Sequence, residues 1–355
     1  MPKTLIITRF PYQSALGGEE LHTMLVAEHL RSSGYEVLFW TSCPVLQKLA
    51  NQAEFPVIKA KLAKSPTTKM AAISFGLSYV YYVLKALVYV LYLRLKYPKL
   101  SFYCLNLSDK LLIGPWMRMF GIPGLFLEHA TIGRWLSRNP FLWLYKWSLK
   151  AKRIKLVTVS KLMREEIQEQ LNLQAECITN GVFLESSLVQ KTQGKPLQVL
   201  FVGRFSEDKG YPKVLELAKL HKNLSFVVAG GGKLDKLKTP TNVKKLGFLE
   251  RSRLKQLYQN SDILILPATT VDPFGLVVAE AMTQGCPVLC SQLVGASRYL
   301  DSEFSCELSD FNTNFAKLVS KPQKLADMRK RAFVQAKQFD AQVMLKAYAR
   351  LLKTL

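Results

Sequence analysis

Short apolar runs that alternate with helical stretches constrain this chain more than any other feature. The first run, residues 4–8, leads through a polar loop containing Gly17 and Gly18 into a helical stretch over residues 19–32, and after a turn at Gly34 a second run covers residues 35–41. Strand, glycine loop, helix, turn, strand is the opening of a parallel α/β sheet. The right-handed crossover of such a unit puts the glycine loop at the carboxyl ends of the strands, where ligands bind. Runs at 100–105, 125–128 and 155–160 continue the theme, giving a first domain over residues 1–175. After a linker, residues 176–196, a second series at 199–203, 226–229, 243–246, 263–267 and 287–290 gives a second domain over 197–335. Residues 325–355 read as amphipathic helix throughout, and the last part, 336–355, is expected to pack back on the first domain. A length of 355 residues suits two domains. The expected fold class is α/β, two doubly wound domains with a ligand held in the cleft between them.

Composition narrows the function. Hydrophobic residues at 49% and charged residues at 21% argue against disorder and against a polytopic membrane protein. Forty-nine Lys and Arg against 26 Asp and Glu leave a net charge of +23, so anionic partners are expected: nucleic acid, acidic headgroups or phosphorylated substrates. Residues 1–160 carry 21 basic and 7 acidic side chains (+14), residues 161–355 carry 28 and 19 (+9), so the first half is the more basic. Six cysteines stand mostly alone, without the spacing of a metal site, and read as reduced core thiols. The opening MPKTLIITRF has a three-residue apolar stretch and no signal-peptide core, which sets the expectation of a cytoplasmic protein.

Residues 71–93, with the single charge Lys85, pass the length test for a membrane span. Ser74, Ser78, Tyr81, Lys85, Tyr89, Tyr92 and Lys96 nevertheless draw a polar stripe down one helical face, and a span would separate two strands assigned to one sheet. The expectation is a helix whose inner face is buried, with Arg94, Lys96 and neighbouring lysines meeting anionic lipid on the outer face. Trp135, Phe141, Trp143, Tyr145 and Trp147, interleaved with Arg134, Arg138, Lys146 and Lys150, fit a headgroup interface equally well as a core helix with a solvated basic side.

Two runs carry chemistry. In ILPATTVDPFGLVVAEAMTQGCP a strand ends at Pro267, a loop carries Asp272, Phe274 and Gly275, and a helix opens at Leu276 with Glu280 on its first turns. Backbone N–H groups at that helix start form a site for phosphate or sugar hydroxyls. In VLFVGRFSEDKG, Arg204 and Lys209 follow a strand and Gly203, a placement suited to neutralising a diphosphate. Taken singly, each could be a cap or a surface charge.

Together these runs resemble the retaining GT-B glycosyltransferases of family 4. The pieces occur in order over essentially the whole chain: the GG loop, VTVS, TNGV, VGRFSEDKG, AGGG, LGFL and DPFGLVVAEAMTQGCPV. The resemblance implies two facing Rossmann-like domains, a UDP- or GDP-linked sugar as donor substrate, no cofactor or metal ion, and transfer with retention at the anomeric carbon. It places Arg204 and Lys209 on the diphosphate, Glu280 on the ribose hydroxyls, and Asp272 on hydroxyls of the transferred sugar beside the backbone of Phe274, Gly275 and Leu276. It puts Gly17 and Gly18 at the loop where backbone approaches the diphosphate, Gly247 at the nucleobase, and His129 at the donor sugar from the acceptor side; a satisfied core histidine is the other reading of His129. Asp272 stands where the family usually has Glu, and VGASRYL (294–300) lacks the usual glycine pair and glutamate.

The resemblance and the basic, aromatic-rich first domain imply a glycolipid or lipid-linked acceptor at the inner face of the cell membrane, reached by a peripheral protein through Lys85, Arg94, Lys96, Trp135, Trp143, Lys146 and Trp147. Other classes stay open: a weakened sugar-nucleotide-binding scaffold on the same fold, a GT-B epimerase, or a nucleic-acid-binding protein, for which no recognition motif is present.

Overall fold

The computed structural model describes residues 3–10, 17–59, 62–63, 65–130, 138–188 and 196–355. It divides into two compact units: residues 1–159, 163–178 and 345–355, and residues 160–162 with 179–344.

The first unit is built on seven parallel strands: β1 (Thr4–Arg9), β2 (Glu36–Thr41), β3 (Val57–Ile58), β4 (Leu100–Cys104), β5 (Gly124–Glu128), β6 (Ile154–Thr158) and β7 (Glu176–Cys177), in the order β3-β2-β1-β4-β5-β6-β7. Every residue of β1 is buried, which is why its sequence is a continuous apolar run instead of an alternation. The order reverses between β1 and β4, so the crevice outside their carboxyl ends is a topological switch point. Helices α1 (Gly18–Ser32), α2 (Pro44–Gln52), α3 (Lys69–Lys96), α4 (Leu107–Met119), α5 (Leu142–Leu149) and α6 (Lys161–Leu171) connect the strands. The core around β4 joins Phe102, Ile113, Met117, Phe126, Tyr145 and Leu156 with the inner face of α3.

The second unit repeats the plan with six parallel strands: β8 (Gln198–Arg204), β9 (Ser225–Gly231), β10 (Val243–Lys245), β11 (Ile263–Leu266), β12 (Val288–Ser291) and β13 (Ser305–Cys306), in the order β10-β9-β8-β11-β12-β13. Its switch point lies between β8 and β11. Helices α7 (Tyr211–Leu220), α8 (Arg251–Asn260), α9 (Leu276–Thr283), α10 (Phe311–Val319) and α11 (Pro322–Gln335) complete it, and α12 (Ala341–Thr354) closes the chain.

Two expectations need correction. The C-terminal stretch is not one helix: α11 gives way to a short 3-10 turn, and at Asp340 the backbone is extended (φ −66°, ψ 120°) and bridges to Val182. Val182 N–H donates to Phe339 O at 2.7 Å and Ala341 N–H to Val182 O at 3.0 Å. The Asp340 carboxylate then accepts from Gln342 N–H at 2.8 Å, an N-cap that restarts the helix. The other correction concerns α3, whose outer face is apolar along its centre, with the polar and basic side chains at its edges. Leu77 is 88% exposed and Leu95 84%, with the Ser74–Lys96 stripe along one edge of that apolar surface.

Two glycines permit close backbone approaches, Gly210 that of the β8–α7 loop to the end of β11 and Gly230 that of β9 to β8. Gly210 is left-handed (φ +72°), and a Cβ there would lie 1.8 Å from Pro267 O; a Cβ on Gly230 (φ +128°) would lie 2.0 Å from Gly203 O. Gly210→Ala is therefore expected to lower stability by at least about 1–3 kcal/mol, from the left-handed backbone alone, measured as a shift in the urea unfolding midpoint.

Candidate functional site

The switch point of the second unit brings the two chemical runs together. β8 ends at Arg204, and the loop that follows is laced to the loop after β11: Thr269 N–H donates to Asp208 O at 3.0 Å, and the Thr269 hydroxyl to Glu207 O at 2.8 Å. Across that seam Lys209 Nζ lies 2.7 Å from Asp272 Oδ2, both side chains mostly buried (18% and 11% exposed). Asp272 is itself pinned through its backbone, donating from N–H to Leu293 O at 2.8 Å and accepting at its carbonyl from Gly295 N–H at 2.9 Å. Arg204 stands more open, 68% exposed, and pairs with Asp208 at 2.8 Å.

Two helices start at this seam. Gly210 is the N-cap of α7 and Gly275 (φ +78°) the N-cap of α9; at α7 the Tyr211 N–H is taken by Ser206 O at 3.2 Å and Pro212 has none, whereas Gly275 offers no side chain to the first-turn N–H groups of α9, which suit an anion. A Cβ on Gly275 would meet Val294 Cγ1 at 2.4 Å. VGASRYL folds as a 3-10 turn, Gly295–Tyr299, whose Ala296 N–H donates to Phe274 O at 2.8 Å, so it props the 272–275 loop from behind. Phe274 is buried, whereas Leu276 is half-buried at the helix start.

Glu280 sits one turn further along α9, where its carboxylate accepts from the Tyr258 hydroxyl at 3.0 Å. Burial pushes the carboxyl above its usual range, against the lowering effect of the Tyr258 bond. Gly247, left-handed at φ +68°, has open space where a side chain would be, and its carbonyl accepts from Gly230 N–H at 2.7 Å; the adjacent Phe248 ring is 84% exposed. Among the described residues no three His, Cys, Asp or Glu side chains come together in a way that could hold a metal ion.

The switch point of the first unit is lined by charges that sequence reasoning did not single out. Arg9, at the end of β1 and fully buried, pairs with Glu20 at 2.5 Å and Glu19 at 3.0 Å, and Glu20 also accepts from Gly17 N–H at 2.9 Å at the start of α1. Lys110 Nζ meets Leu127 O at 2.6 Å and Glu128 at 2.7 Å at the end of β5, and the Tyr145 hydroxyl donates to the same carboxylate at 2.8 Å. The available signal was an Arg closing a buried strand with a Glu pair just past the glycine loop. Gly17 and Gly18 form the start of α1, and His129 follows β5 with its ring edge-on to His22, centroids 4.6 Å apart. Neither ring nitrogen of His22, nor Nε2 of His129, has a hydrogen-bond partner among the described residues.

Of the residues expected on the membrane side, Lys85 lies over Tyr81 and Lys96 over Tyr92 and Tyr97, while Arg94 lies over the Phe120 ring and donates to Phe120 O. Trp143 is 64% exposed, Lys146 and Trp147 are half-buried, and the Trp147 ring is covered by Arg118 at 4.6 Å. Trp135 lies outside the described residues.

Burial holds the His22 imidazole at a pKa of about 3, and burial, with His22, Lys110 and Arg9 nearby, lowers that of His129 in the same direction. A folded pKa depressed below the unfolded 6.5 means that the unfolded state binds the extra proton between the two values. The contribution of His22 is complete above about pH 6.5 and is lost at up to about 1.4 kcal/mol per pH unit as pH falls towards 3. His22→Phe is expected to flatten that slope, read from urea unfolding over the acid range; an unchanged slope would exclude His22 as its source.

Residues 185–338 match the family model "Glycosyl transferases group 1". An uncharacterized glycosyltransferase of Methanocaldococcus jannaschii is 29% identical over 180 residues, 42% of this chain and 45% of that protein. The phosphatidyl-myo-inositol mannosyltransferase of Mycobacterium tuberculosis is 26% identical over 217 residues, 57% of this chain and 54% of that protein. The match thus spans about half the length of each of these relatives. Among solved structures, HepE of Anabaena, crystallised with UDP, superimposes with a TM-score of 0.76 over 99% of this chain and all of that one, at 17% identity. The two parallel sheets, each with its own switch point, have the GT-B fold, and residues 185–338 match the glycosyl transferases group 1 family.

Proposed function

We propose that the protein is a family 4 retaining glycosyltransferase that moves a hexose-type sugar from a UDP- or GDP-linked donor to a hydroxyl of a glycolipid or lipid-linked saccharide, working without a metal ion as a peripheral protein on the cytoplasmic face of the membrane. The observation that carries this reading is the pairing of Lys209 with Asp272 at 2.7 Å across the β8/β11 switch point, between two glycine-capped helix starts. A cation, a carboxylate and free N–H groups at one point are what a sugar diphosphate requires: positive charge for the phosphates and an acceptor for sugar hydroxyls.

In this mechanism Lys209, Arg204 and the first turn of α9 hold the diphosphate and stabilise the charge that accumulates as it departs. Asp272, fixed by its backbone bonds, binds hydroxyls of the sugar as Lys209 turns to the phosphate, and Glu280 offers its carboxylate to the ribose. No side chain is assigned as a covalent nucleophile. Transfer with retention then rests on attack by the acceptor hydroxyl from the face the diphosphate leaves: the C1–oxygen bond to the phosphate breaks as the bond to the acceptor oxygen forms, and the hydroxyl proton passes to the departing phosphate oxygen. The acceptor class draws support from the mycobacterial relative, named for transfer to a phosphatidylinositol, and the donor class from HepE, solved with UDP and with UDP-glucose.

A second reading, a weakened sugar-nucleotide-binding protein, is favoured by the same ion pair, because the Asp272 carboxylate is already engaged by Lys209. Turnover separates the two. Incubation with UDP- and GDP-sugars and lipid acceptors in the presence of a chelator is expected to give a product of unchanged anomeric configuration by NMR. Arg204→Ala and Lys209→Ala should each lower kcat by about 10²–10³. Near-normal turnover in both variants would exclude this mechanism, and no transfer from any donor would favour the binding protein.

A further inference from the structure

Helix α3 presents an apolar face that nothing in its own unit covers. At 100° per residue, Met70, Ile73, Leu77, Leu84, Val88 and Leu95 fall within about 60° of one another, and all are exposed, from 51% at Leu84 to 88% at Leu77. Ala72, Phe75, Ala86, Val90 and Leu93, on the opposite side, are buried against the sheet and α4. Only 17% of the most apolar 18-residue stretch of α3 is buried, the reverse of a core helix. An exposed apolar stripe of this length is a binding surface.

The flanks of the stripe identify what covers it. Lys69 and Arg94 lie along one edge, Lys85 and Lys96 along the other, and α3 contains no acidic residue. Trp143, 64% exposed, lies two residues beyond Phe141, which packs on Phe75 at 5.0 Å and so borders the first half of α3. Apolar centre, cations on both rims and a tryptophan at the border match acyl chains, anionic headgroups and the interface between them. A second copy docked on the same face would bring the four cations of each chain together, a like-charge cost that lipid phosphates turn into attraction.

The topology settles how the helix would lie. β3 precedes α3 and β4 follows it, and both belong to one sheet, β3 through β2 and β4 through β1. Both ends of α3 are thus held on the same side, which a spanning helix does not permit.

We propose that α3 is an in-plane membrane-insertion element: its Met70–Leu95 stripe enters the acyl boundary of one leaflet along a helix about 42 Å long, with its rim cations on anionic headgroups. This deepens the membrane part of the function proposed above, but it needs neither donor nor transfer, so its failure would leave the donor site standing.

The test is flotation of the full chain with phosphatidylcholine vesicles, alone and with phosphatidylglycerol, at low and high salt. Wild type is expected to bind both, more tightly with the anionic lipid, and to keep most of its binding at high salt. Leu77→Glu with Val88→Glu, both on the exposed face, should leave the thermal unfolding midpoint unchanged and weaken binding to either vesicle about a hundredfold. Lys85→Gln with Lys96→Gln should remove only the gain from anionic lipid. The proposal is overturned if the double glutamate variant binds as wild type does, or if wild-type binding vanishes at high salt. It is equally overturned if the wild type fails to float and forms a dimer that the glutamates dissociate, since a second copy would then cover the face.

Discussion

Parallel pairing decides where chemistry can happen in this protein. Because each strand is followed by a right-handed crossover, every strand of a sheet delivers its carboxyl end to the same edge. Where the strand order reverses, two loops diverge and leave a crevice. Arg9 closes β1, Glu128 closes β5 and His129 follows it, Arg204 closes β8 and Lys209 follows it, and Asp272 follows β11. These residues, whatever their distance in sequence, reach their places through this one topological rule.

The two switch points use charge differently. In the first unit Arg9 is fully buried and its charge is matched by Glu19 and Glu20, while burial tends to raise the Glu19 pKa. Removing one partner of such a pair leaves an uncompensated buried charge, a cost of about 3–5 kcal/mol, so these residues act first on the shape of the α1 start. In the second unit Lys209 and Asp272 keep some exposure and Arg204 is open, so these charges can exchange their protein partners for a ligand at lower cost. That contrast is the physical reason for placing the donor's diphosphate at β8/β11.

Much of this was legible in the sequence. Strands β1, β2, β4–β6, β8, β9, β11 and β12 announce themselves as short apolar runs because both of their faces are covered, and the Asp272–Gly275 loop is readable because a strand, a turn and a helix start follow in order. The two-residue edge strands β3, β7 and β13 carry too little pattern to be seen. The break at Asp340 depends on Val182, far away in sequence, and local periodicity cannot contain it. The pairing of Arg9 with Glu20 and of Lys209 with Asp272 likewise exists only once the strands are placed. For α3, hydropathy marked the length and the apolar character, but which face turns outward is decided by what packs on Phe75, Val90 and Leu93. The outward face proved to be the apolar one.

The central claim is that the Lys209–Asp272 seam is a sugar-diphosphate site. Calorimetric titration of the wild type, Lys209→Ala and Asp272→Ala with UDP, GDP and the corresponding sugar nucleotides, in metal-free buffer, tests it most directly. The account predicts that one nucleotide binds the wild type and loses at least about tenfold in affinity on Lys209→Ala. Asp272→Ala should bind the bare nucleotide at least as well as the wild type, since Lys209 is then released from its partner, and should lose any preference for the sugar-bearing form. Equal nucleotide affinity in wild type and Lys209→Ala, or no binding of either nucleotide to the wild type, would contradict it.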